Sequence, residues 1–209
     1  MDNSQRRNQM VDTQIAERGV RNPAVLAAMR QVPREVFVGA GFEEFAYDDC
    51  ALPIARGQTI SQPYIVAAMA DAARIGADAR VLEIGAGSGY ASAVLSRIAR
   101  EVYAIERLAP LSETAAKHFR HLGYANIILK TGDGSLGWPE YAPFDAIIIS
   151  AGGPKVPEPL KNQLKIGGVL VAPVGPASRQ RLKSIIRTDE KGFEENDLGA
   201  VRFIELVLP

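Results

Sequence analysis

Arg80-Val-Leu-Glu-Ile84 runs directly into Gly85-Ala-Gly87-Ser-Gly89. Val81, Leu82 and Ile84 predict a buried strand, the glycines predict the turn that leaves it, and Ala91–Ala99 predicts the helix that follows. A strand, a glycine turn and a helix together present backbone N–H groups to a ligand at the C-terminal edge of an α/β sheet. Glycine also lets the main chain approach that ligand without a Cβ in the way. A dinucleotide fingerprint would need its third Gly or Ala one residue further on, where Tyr90 stands, so a nicotinamide dehydrogenase is disfavoured. A tight turn without a ligand is the alternative, but three glycines in five residues cost backbone entropy that packing alone does not offset.

Beyond this turn, strand and helix patterns alternate. Strands are predicted at Glu101–Ile105, Asn126–Lys130, Phe144–Ile149 and Gly168–Pro173, with helices at Pro110–Leu122 and Pro159–Leu164. Phe144–Ile149 is almost continuously apolar, as a strand covered on both faces requires. Gln180–Thr188 and Val201–Val207 read as a closing antiparallel pair. The alternation predicts an α/β fold, a mostly parallel sheet with helices on both faces. Before it, helices are predicted at Gln5–Arg18, at Ala24–Arg30 behind Asn22-Pro23, and from Gln62-Pro63 to Ala73. Gly39–Gly57 reads mostly as loop or short turns. A single domain is expected, with residues 1–79 forming a helical cap and 80–209 the ligand-binding sheet.

Composition narrows the function. The chain has 209 residues, with 24 Lys and Arg against 24 Asp and Glu. This balance leaves no electrostatic footprint for nucleic acid or an acidic membrane. Cys50 is the sole cysteine, so no internal disulfide is possible, which fits a reducing cytoplasm. No apolar run is long enough to span a bilayer, and the polar N-terminus does not read as a secretory signal. A cytoplasmic monomer is the expectation.

Several residues are candidates for chemistry. Glu106 ends the second strand of the alternating series, where an acid can accept both hydroxyls of a ribose; a solvated strand-end carboxylate is the other reading. Asp133, followed by Gly134, could bond an adenine amino group or simply form an Asp-Gly turn. Gln58-Thr59-Ile60-Ser61-Gln62-Pro63-Tyr64 is polar and leads into a helix, so Ser61 reads either as a reactive-site hydroxyl or as a helix N-cap. His118 and His121 lie on one helix without the further ligands a metal needs, and read as exposed helix residues. Ser61 has no His/Asp partner in motif context, so a hydrolase triad is unsupported.

Taken together, these segments resemble the protein-L-isoaspartate (D-aspartate) O-methyltransferase family over almost the whole chain. Glu83-x-Gly85-x-Gly87-x-Gly89 is similar to motif I of the class I S-adenosylmethionine methyltransferases. Gly57-Gln-Thr-Ile-Ser-Gln-Pro-Tyr-Ile-Val-Ala67 resembles the family's most specific motif. Met10–Ile15 with Arg18-Gly19, Val32–Val38, Asp145–Gly153 and Leu164–Pro173 match its other segments. The resemblance implies a Rossmann-like fold, S-adenosylmethionine as cofactor, and methylation of the free α-carboxylate of isoaspartyl residues in damaged proteins and peptides. It implies that Ser61 is the active-site serine. Cofactor contacts would come from Ser61, Glu83, Gly85, Gly87, Ser88, Gly89, Glu106, Asp133 and Gly134. Substrate contacts would come from Gln58, Thr59, Ile60 and Ser61, and no metal is expected. Ala55, where relatives usually have Gly, and Glu205, where they carry Pro, depart from the pattern. The residues themselves leave open a methyltransferase for another acceptor and a nucleoside-binding module without catalysis.

Overall fold

The computed structural model describes residues 1–206. Its core is a seven-stranded sheet ordered β5-β4-β3-β6-β7-β8-β9. The strands are β3 (Arg80–Ile84), β4 (Glu101–Glu106), β5 (Ile127–Thr131), β6 (Phe144–Ile149), β7 (Leu164–Val174), β8 (Gln180–Arg187) and β9 (Phe193–Val201). β3 to β7 are parallel, and β8 and β9 are antiparallel additions. Because β4 and β6 flank β3 on opposite sides, strand order reverses there, and a crevice opens at the carboxyl ends of these strands.

Side chains on the parallel strands alternate between two buried clusters. Val81, Val102, Ala146, Ile148, Val169 and Val171 face one side; Leu82, Ile84, Ile105, Ile147, Ile149 and Leu170 face the other. Burying each such chain contributes roughly 1.5–3 kcal/mol, which explains the near-continuous apolar runs.

The N-terminal helices pack on the first of these faces. Asp2 and Gln5 cap α1 (Asn3–Met10) reciprocally, each side chain accepting the other's backbone N–H. Asn22 caps α2 (Pro23–Gln31), its side chain accepting from Ala24 at 2.9 Å. The helix expected over Gln5–Arg18 stops short of Arg18: α1 continues as a π-helix over Val11–Ala16, and a turn follows. Met10, Val11, Ile15, Val25 and Met29 share one buried cluster with Val81 and Val102, so the cap and sheet have a common core.

Gly39–Gly57 is mostly loop and short turns, as expected, and within it β1 (Leu52–Pro53) pairs with β2 (Thr59–Ile60) through the turn Ala55–Gly57. Gly57 has φ +69° there, a conformation that favours glycine. Three expectations need correction. The predicted helix Pro159–Leu164 is α6 (Glu158–Asn162), because Leu164 begins β7 and pairs with Phe144 beside a bulge. β8 pairs with Phe193–Val201, not Val201–Val207. β9 is a water-facing edge strand held partly by Arg181–Asp197 and Lys183–Glu195 ion pairs, so it needs no apolar alternation. Of Val201–Val207, Val207 lies outside the described residues. Finally, α3 (Pro63–Ala72) is not capped by Ser61; Gln62 occupies the cap position and makes no side-chain cap bond.

Candidate active site

A cavity of about 710 Å3 lies in the crevice at the strand ends, within the range of about 300–1,000 Å3 usual for small-molecule sites. Gly85 and Gly87 form its floor, with φ of +86° and +57°. The turn is sewn to the neighbouring strand: the Gly85 and Ala86 N–H groups donate to the Ile105 carbonyl at 2.8 and 3.2 Å.

Glu106 faces the same cavity and is only 6% exposed. One carboxylate oxygen accepts the Gly87 N–H at 2.8 Å, the other the Leu108 N–H at 2.8 Å. Both bonds fix the carboxylate, and each oxygen keeps a second lone pair. The fixed acid therefore offers paired acceptors suited to a vicinal diol. Asp133 lines the wall with one oxygen accepting the Ser135 N–H at 2.8 Å. Gly134 beside it has a structural reason to be glycine: a Cβ would sit 2.5 Å from Ile84 Cγ2. This absence of a side chain seats the loop on β3.

Gln58, Thr59 and Ser61 form a second wall. The β1–β2 hairpin holds them there, with the Ile54 N–H donating to the Gln58 carbonyl at 2.9 Å. Ser61 is half-buried, and its hydroxyl has no hydrogen-bond partner among the described residues. Behind it, Gln62 donates to Asp49 at 2.8 Å, Asp49 pairs with Arg18 at 2.9 Å, and the Arg18 guanidinium lies 3.6 Å from the Tyr64 ring centroid.

Four predicted site residues do not line this cavity. Glu83 is fully buried beneath it, accepting from the hydroxyls of Ser92 and Ser150. Burial pushes its carboxyl up to about 7, against the opposing effect of those two hydroxyls. Ile60 points into the core. Ser88 is 5% exposed, and Gly89, at φ +93°, packs so closely on α5 (Ala109–His121) that a Cβ would lie 2.6 Å from the Phe119 ring. Ile60, Glu83 and Ser88 instead surround a small gap of about 40 Å3 beside Ser61.

The structure also adds residues the sequence reading passed over. Ser150 lines the cavity at the end of β6; a polar residue closing an apolar strand beside the switch point was the available signal. A strap over 200–206 forms another wall. It is held by the Gly152 N–H donating to Ile204 at 2.8 Å, the Leu206 N–H to Gly152 at 2.6 Å, and the Phe203 N–H to Gln180 Oε1 at 2.6 Å. Glu205 is on this strap; Ala55 is in the hairpin turn. His118 is not an exposed helix residue: it is half-buried, with Nδ1 2.9 Å from the Ser88 carbonyl oxygen. No cluster of three or more His, Cys, Asp or Glu able to hold a metal occurs among the described residues.

Comparison with known proteins identifies the family and the fold. The family model for protein-L-isoaspartate (D-aspartate) O-methyltransferase matches residues 5–208. Protein-L-isoaspartate O-methyltransferase 1 of Geotalea uraniireducens (strain Rf4) is 54% identical over 203 residues, covering 97% of this chain and 93% of its own. A solved protein-L-isoaspartate O-methyltransferase superposes with TM-score 0.86 at 30% identity, over 95% of this chain and 65% of that one. A Plasmodium falciparum protein solved in complex with S-adenosyl-L-homocysteine shares the fold, with TM-score 0.83 and 22% identity over 99% of each chain.

Proposed function

The chain belongs to the protein-L-isoaspartate (D-aspartate) O-methyltransferase family, and we propose how its own residues divide that family's work. It uses S-adenosylmethionine to methylate L-isoaspartyl residues, which begins the repair of damaged proteins. One observation carries the assignment of roles: a single cavity joins the glycine turn and Glu106 to the Ser61 hydroxyl.

The residues present fit the cofactor. Gly85 and Gly87 bare their backbone toward the cavity, and the anchored Glu106 carboxylate offers its free lone pairs to the ribose hydroxyls. Asp133 accepts from the adenine amino group. The bound sulfonium supplies an electrophilic methyl carbon.

The acceptor is the free α-carboxylate of the isoaspartyl residue. With an ordinary pKa near ~4 it arrives ionised at neutral pH, so no general base is needed. The protein's task is to align it and exclude water. Ser61 is suited to that alignment. Its hydroxyl donates one modest hydrogen bond to one carboxylate oxygen and leaves the attacking oxygen nucleophilic. A cation gripping that oxygen would quench it. Gln58 and Thr59 shape the acceptor side of the wall together with the strap. The balance of 24 basic and 24 acidic residues leaves no electrostatic footprint for nucleic acid, and the single cysteine fits a cytoplasmic setting.

The test is a pair of peptides differing only in an isoaspartyl or a normal aspartyl linkage, incubated with methyl-labelled donor. A base-labile methyl ester on the isoaspartyl peptide alone is the expected result. Equal labelling of both, or of neither, would remove the acceptor assignment.

A further inference from the structure

The glycine turn is held from behind as well as from the sheet. His118, on α5, donates from Nδ1 to the main-chain carbonyl of Ser88, between Gly87 and Gly89, at 2.9 Å. For this bond the ring must carry its proton on Nδ1. The ring is in turn fixed edge-on by Phe37, with centroids 5.1 Å apart, and Phe37 is fully buried. Phe37 also packs at 5.8 Å against Tyr90, the first residue of α4 (Tyr90–Ser96). On the next position of α5, Phe119 closes on Gly89. The same helix begins just past Leu108, whose N–H holds Glu106. One helix thus reaches both ends of the ligand wall: the acid at its start and the glycine turn near its end.

We infer that His118 is a positioning residue for cofactor binding, fixing the glycine turn in its ligand-ready conformation through the Ser88 carbonyl. The three left-handed glycines make this turn intrinsically permissive. Without the tether, the Gly85–Gly89 backbone would sample conformations in which Gly87 no longer presents its backbone to the cavity or its N–H to Glu106. Binding would then have to reorder the turn, and the cost would fall on cofactor affinity. His118 does not line the main cavity, so it acts through the turn and not by contact. The inference rests on the glycine turn and Glu106 being the cofactor seat.

The experiment compares the wild type with His118→Leu, which keeps bulk and loses the donor, and His118→Asn, which restores a donor close to Nδ1. Binding of S-adenosylhomocysteine is titrated by calorimetry, and KM values are measured for S-adenosylmethionine and for an isoaspartyl peptide. His118→Leu is expected to weaken S-adenosylhomocysteine binding and raise the donor KM about three- to tenfold, the effect of one net hydrogen bond. The peptide KM and kcat should stay unchanged, and His118→Asn should recover most of the loss. A cofactor Kd within twofold of wild type, an equal rise in peptide KM, or failure of Asn to rescue would overturn the inference. His118→Ala serves as the second loss variant should the Leu protein not melt cooperatively. Glu106→Ala is titrated alongside: if it too leaves the Kd unchanged, the cofactor seat itself is wrong, whereas a weakened Glu106→Ala beside a normal His118→Leu rejects only the role of His118.

Discussion

Ser61 and Glu106 separate transfer from binding, and substitutions should split accordingly. Ser61→Ala removes one neutral hydrogen bond, so kcat should fall roughly three- to tenfold with the S-adenosylhomocysteine Kd unchanged; stopped-time methylation and calorimetry read the two effects, and an unaltered kcat would take Ser61 out of the mechanism. Glu106→Ala removes an acid anchored by Gly87 and Leu108 and should weaken cofactor binding by about 1–3 kcal/mol, as charge-assisted bonds do. Glu83 behaves differently because it is buried under the site. Its carboxyl titrates near 7 in the fold and near 4.5 when unfolded. Below the lower value both states are protonated. Between the two the native state holds a proton the unfolded chain has shed, so stability falls as pH rises, and above about pH 7 the full penalty of roughly 3 kcal/mol remains. Glu83→Gln cannot titrate. Relative to wild type, its stability should improve by about 2–3 kcal/mol between pH 5 and pH 8 in urea unfolding; a constant difference would refute the buried-acid account. Glu83 was readable as part of the motif, but its depth was not, since Ser92 and Ser150 reach it from separate elements.

Elements built from local signals matched the sequence reading best. The Asn22 cap, the apolar run of β6 and the turn after β3 are all set by neighbours in the chain. Elements set by distant partners were misread. β9 has a polar sequence and exists because β8 offers it an edge, and the inward turn of His118 depends on Ser88, thirty positions away in the chain. The fit of α5 against the glycine turn is one such distant contact, and it is testable at its tightest point. Gly89→Ala places a Cβ 2.6 Å from Phe119 at a residue with φ +93°. Left-handed strain of about 1–2 kcal/mol and overpacking of about 1–3 kcal/mol should together destabilise the protein by roughly 2–5 kcal/mol. Urea midpoints at an unchanged m-value measure this, and a loss below about 1 kcal/mol would show that the helix and turn yield to each other.

Across the molecule, the cap and the sheet should behave as one body. α1, the π-helix and α2 bury Met10, Val11, Ile15, Val25 and Met29 in the cluster that also covers β3, β4 and β7. The cap therefore has no separate core on which to melt. Arg18, Gln58 and Ser61, all before residue 80, share one cavity with Glu106, Asp133 and the strap from the sheet. This union was only partly readable from the sequence. The motifs identified each half, but the cavity forms because the β1–β2 hairpin and the strap close over the strand ends, and neither carries a periodic signal. A ligand bridging both halves must stabilise them together. S-adenosylhomocysteine at ~100 times its Kd should add about 2.7 kcal/mol to the unfolding free energy. For a chain of this length that corresponds to a rise in Tm of roughly 5–10 °C. Scanning calorimetry should show one transition, moved upward as a whole. Two transitions, with only the later one responding to ligand, would mean that residues 1–79 fold apart from the sheet and that the hairpin wall is absent until substrate brings it in.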